Sequence, residues 1–208
     1  MFESFYAKEW VQVSTAFAFL ILVLVTPLIY WRISRTLNGK TKAQFIDVAF
    51  DLYGVIFFLL IAPVGYLVLY FLGSQSKFML NDPMAWVCFL GGAAAVYDLI
   101  RAKRALKSAN KSFLCDERAR FILMLEKLST LVLCLSLIPL LYGIVMITVT
   151  NLMDPASISN VLWFSTFLIT SLAIIYAVVS KAVLIVAQSY ESNPNLGCVG
   201  SAAKLGSN

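Results

Sequence analysis

Long uncharged apolar runs alternate along the chain with short charged stretches. Charge-free segments extend from Trp10 to Trp31, Leu52 to Ser76, Pro83 to Tyr97, Leu128 to Met153 and Pro155 to Ser180. A bilayer hydrocarbon core about 30 Å thick is crossed by roughly 20 residues of apolar helix. The pattern therefore predicts an all-α, multi-pass membrane bundle with five spans at about 10–31, 52–74, 83–100, 128–151 and 160–181. They form one transmembrane domain over 1–190, followed by a tail at 191–208, rich in Ser, Asn, Gly and Ala, that reads as disordered. The third run is short, and reaches membrane length only when Leu99 and Ile100 are included and Asp98 snorkels to the interface.

The basic residues support the short span and set the orientation. With five spans, alternate flanks carry 2 and 14 of the Lys and Arg residues, and eight of them lie between 101 and 127. Basic residues concentrate in cytoplasmic loops, so the N-terminus is expected outside and the C-terminus in the cytoplasm. Removing the third span would put the eight-charge segment outside. Phe2 to Glu9 contain no basic signal region and no A-x-A-like cleavage site follows promptly, so the first helix is expected to be retained. Trp10 at one end of this span and Tyr30-Trp31 at the other match interfacial aromatic belts.

Composition agrees with the pattern: 61% of the 208 residues are hydrophobic and 13% charged, against about 45–50% and about 25% in soluble domains. The net charge of +5 reads as topology and contact with anionic lipid rather than nucleic-acid binding. Histidine is absent, which removes the commonest metal ligand and the usual general base near pH 7. Cys88, Cys115, Cys134 and Cys198 show no C-x-x-C spacing, so neither a metal site nor a disulfide framework is expected. Asp47 with Asp51 and Asp116 with Glu117 are the close carboxylates. That is too few oxygen ligands at one face for a metal-dependent lipid enzyme, and no cofactor or catalytic residue is assigned.

Three patterns remain as candidates for function. In the fourth helix Ser129, Ser136, Gly143 and Thr150 recur every seven residues; in the fifth Thr166, Thr170, Ala173, Ala177 and Ser180 follow steps of four and three. Each set falls on one helix face, where small and hydroxylated residues permit close packing or line a polar path. Over Leu128 to Ser189 this hairpin resembles the last two helices of the proton-driven stator proteins, whose hydroxyl residues face a partner helix. The long cytoplasmic segment of those families is missing here, and no role is carried over. In the third helix, Gly91-Gly92-Ala93-Ala94-Ala95 makes a slim span that other helices are expected to enclose.

The second pattern is a set of prolines within spans. Pro63 and Pro139 are expected to kink the second and fourth helices, because each removes a backbone donor and clashes with the preceding turn. The third is the segment 101–127, with Arg101, Lys103, Arg104, Lys107, Lys111, Arg118 and Arg120 as its contact residues for a partner or for lipid headgroups. It reads as an extension of the third helix to Lys107, a break near 108–115, and a helix that begins at Asp116-Glu117 and packs through Phe121, Leu125 and Leu128.

These features suit a non-catalytic bacterial inner-membrane subunit that oligomerises or anchors a multiprotein assembly of the secretion, conjugation, immunity or phage-defence type. Its expected partners are membrane lipids, further copies or other membrane subunits, and a cytoplasmic protein. A small oligomeric channel or transporter lined by helices four and five is the alternative, and a lipid-modifying enzyme the second.

Overall fold

The computed structural model describes residues 9–37, 39–73, 81–110, 116–152 and 160–193. These residues form five helices: α1 (Glu9–Ser34), α2 (Gly39–Phe71), α3 (Asn81–Asn110), α4 (Asp116–Leu152) and α5 (Asn160–Ser192). All five are long and apolar enough to cross a membrane. Helices that are apolar all round cannot hide that surface in a five-helix unit, and large side chains such as Phe58, Ile61, Leu131, Leu141 and Val145 remain exposed.

The helices overrun the predicted spans at the end that carries the basic residues. At 1.5 Å per residue the 37 residues of α4 measure about 55 Å, well beyond a hydrocarbon core of about 30 Å. The acidic pair Asp116 and Glu117 sits in its first turn, where carboxylates complement the free N–H groups and dipole of a helix start. At its other end α2 stops at Gly73, whose φ of 73° suits glycine and whose N–H donates to the carbonyl of Tyr70 at 3.0 Å. Pro63 and Pro139 are buried and α2 and α4 continue through them without interruption.

The core is a three-helix unit with α3 at its centre, packed lengthwise against both α4 and α5. Small residues make this possible, because α3 has neighbours on several faces at once. A Cβ added to Gly92 would lie 2.6 Å from the backbone nitrogen of Leu140, and one on Gly143 would lie 2.7 Å from the Cα of Phe89. Backbones of α3 and α4 thus touch at two successive turns. On the adjoining face, a Cβ on Gly91 would meet Ala173 of α5 at 3.2 Å. The slim third span is the most enclosed of the five, as its glycines and alanines predict.

α1 and α2 form a hairpin beside this unit, with the hydroxyl of Tyr53 donating to the carbonyl of Val23 at 3.2 Å. α2 joins the core through Leu59, packed with Val87 and Ala177. A second cluster, around Ala16, Leu67 and Met84, links α1, α2 and α3.

Candidate functional site

The two seams singled out in the sequence both turn inward. Ser129, Ser136 and Gly143 of α4 are buried and Thr150 half-buried; Thr166, Thr170, Ala173, Ala177 and Ser180 of α5 are all buried. The full buried repeat of α4 runs Arg118, Ile122, Leu125, Ser129, Val132, Ser136, Pro139, Gly143 and Met146, in alternating steps of four and three. This is the spacing of left-handed, knobs-into-holes packing.

The seam hydroxyls have local partners. Ser129, Ser136 and Ser180 donate to the carbonyls of Glu126, Leu133 and Ala177 at 2.8–2.9 Å. Thr170 donates to the Thr166 carbonyl at 2.6 Å and lies 3.2 Å from the Cys88 sulfur on α3. The Tyr142 hydroxyl reaches Ser165 and Thr166, each at 2.8 Å, and ties α4 directly to α5. The serine hydroxyls are thus satisfied within their own helices, and the Thr170 and Tyr142 contacts are the ones that fasten helix to helix.

At the basic end the same three helices continue as a packed stem. Leu99, Ala102, Leu106 and Ala109 of α3 meet Ile122 and Leu125 of α4 and Leu184 and Ala187 of α5 in one continuous core. Beyond Arg101, Lys127 and Lys181 the three helices each add roughly 13–18 Å. Of the break predicted near 108–115, residues 108–110 are helical, with Ala109 packed in the stem core, and 111–115 lie outside the described residues. Phe121 and Leu128 stay 39% and 38% exposed, and the packing face turns by about one residue from the one read off apolar spacing. Phe121 instead stacks on Tyr190 with ring centroids 5.2 Å apart.

Arg118 accounts for that turn. It is 1% exposed and belongs to the buried repeat, not to the contact surface on which its charge alone would place it. Its Nη2 donates to the Tyr190 carbonyl at 2.7 Å, in the last turn of α5, while Nε and Nη1 are buried without a hydrogen-bond partner among the described residues. A cation bonded to the free carbonyls of a helix end complements the helix dipole. The sequence carried this signal: extending the α4 repeat back from Leu125 by seven lands on Arg118.

The other basic candidates divide cleanly. Arg101, Arg104, Lys107 and Arg120 are exposed, Lys103 is half-buried, and Lys111 lies outside the described residues, as do 194–208 of the tail. Arg101, Arg104 and Lys107 follow one another on an outward strip of α3 that starts at Tyr97, over whose ring the Arg101 guanidinium lies at 5.7 Å. On α4, Leu123 and Met124 are exposed in the stem beside Arg120. A groove of 260 Å³ between α3 and α4 runs past Asn110, Arg120, Leu123 and Glu126.

A layer of mixed charge marks the base of the stem. Asp98 is buried, with Lys181 and Arg101 attracting its carboxylate and Asp51 repelling it. Among the described residues, no three His, Cys, Asp or Glu side chains converge as a metal site. No protein family, curated protein or solved structure matches the chain.

Proposed function

We propose that the chain is a non-catalytic integral subunit of a bacterial inner membrane, oriented with its N-terminus outside, which anchors a multiprotein assembly through its basic helical stem. The single observation behind this reading is the construction of the stem. Exposed Arg101, Arg104 and Lys107 stand on one strip of a helix whose other faces are packed. Cations mounted on a packed scaffold are held in register, so they recognise a defined acidic surface at lower entropic cost than the same charges on a flexible loop. Leu123 and Met124, exposed in the same stem, supply apolar area of the kind that protein interfaces bury.

Orientation follows from the 2-to-14 division of basic residues, which puts the stem in the cytoplasm. The alternative of a channel lined by helices four and five gains nothing from a seam whose hydroxyls already have partners.

The test is extraction of the full chain in mild detergent, as wild type and as Arg101→Glu/Arg104→Glu/Lys107→Glu, with co-purifying proteins weighed by native mass spectrometry. The expected result is one or more defined companions with the wild type and a loss of at least about tenfold with the variant, the effect of removing a few rim-to-core charge contacts. An unaltered companion set in the charge-reversed variant, or a bare chain from the wild type, rejects the anchor.

A further inference from the structure

Between α2, α3 and α5 a cleft of 450 Å³ combines apolar walls with charge at one end only. Val55, Phe58 and Leu59 of α2 face Leu90 and Ala94 of α3, and Asp51 and Lys181 close the end nearest the stem. The space is not an effect of side-chain placement, since a Cβ added to Gly54 on its wall meets nothing within 4 Å. One turn beyond Ala94, Asp98 joins Asp51, Lys181 and Arg101. At the mouth itself one carboxylate, Asp51, and one cation, Lys181, stand together.

In a bilayer, walls of this kind offer water no hydrogen-bond partners, and an acyl chain is the natural filling. The charges at the mouth then select the headgroup. A head with a single negative charge would bring its phosphate beside the Asp51 carboxylate with no cation of its own. A choline head carries a cation but no N–H to donate. We infer that the cleft seats one phospholipid whose head bears both a phosphate and a primary ammonium, the phosphate toward Lys181, the ammonium toward Asp51, and one acyl chain along the α2–α3 wall. The inference rests on the bundle lying in a membrane and is independent of any partner of the stem.

It is tested on the purified full chain in mild detergent, equilibrated with equal amounts of dioleoyl phosphatidylethanolamine, phosphatidylcholine and phosphatidylglycerol, with bound lipid counted by native mass spectrometry. One phosphatidylethanolamine per chain is expected, retained about tenfold over either competitor, the scale of one charge-assisted hydrogen bond. Asp51→Asn should bring its retention down to that of phosphatidylcholine. Gly54→Leu projects a side chain into the cleft and should abolish the retained lipid, with the elution profile and thermal unfolding of the protein unchanged. Equal retention of the three lipids, preference for phosphatidylglycerol, or full retention in Gly54→Leu overturns the inference. So does collapse of the Gly54→Leu fold, because the cleft would then not be open space.

Discussion

Glycines in this chain differ sharply in what surrounds them, and that difference can be measured. At Gly143 a Cβ would press on the backbone of Phe89, which cannot move aside without shifting α3; at Gly54 it would enter open space. Gly143→Ala should therefore lower stability by about 1–3 kcal/mol, the cost of overpacking a tight core. Gly54→Ala should leave it unchanged or raise it by up to about 1 kcal/mol through better helix propensity. Thermal unfolding in one detergent compares the two; equal effects would contradict the close α3–α4 crossing. Arg118 offers a second contrast. Its guanidinium is buried with two nitrogens unbonded, and apolar replacements of similar volume often match or exceed buried charges in stability. Arg118→Met should stay within about 1 kcal/mol of wild type, whereas Arg118→Ala leaves a cavity and should cost about 2 kcal/mol or more. If Met is as harmful as Ala in the same unfolding assay, the bond to the Tyr190 carbonyl is worth more than the filled volume.

For the helices, legibility in the sequence depended on which physical signal was strong. Four long charge-free runs, with a short third one supported by the division of basic residues, announced five helices, and Gly91-Gly92 with three alanines announced an enclosed third one. The ends were harder to read. Outside a membrane-length run the apolar signal falls away, yet backbone hydrogen bonding and the four-and-three repeat continue into the stem. The α4 repeat passes through Arg118, Ser129 and Ser136, so a search for apolar spacing chose Phe121, Leu125 and Leu128 and shared only Leu125 with the buried face. The seam residues were found from small-residue spacing. That Gly143, Thr170, Ala173 and Ala177 meet α3 was not legible, because spacing defines a face without saying what it meets.

Across the whole molecule, helices that cross the apolar layer do two further things at one end. α3, α4 and α5 run on together as a stem, and α2 stands far enough from α3 and α5 to leave the cleft between them. Both features lie at the charged layer of Asp51, Asp98, Arg101 and Lys181, so the basic end joins the surface proposed to meet a partner with the cleft proposed to seat a lipid. The account depends most on the order of the stem. Its direct measurement is the distance distribution between spin labels at Lys107→Cys and Arg120→Cys, recorded by pulsed electron resonance in a chain whose own cysteines are replaced by alanine. A packed stem predicts one narrow distribution, the same in detergent and in lipid bilayers. A broad distribution would show the segment to be a loop carrying charge, and the anchor proposed on its rigid strip would fall with it.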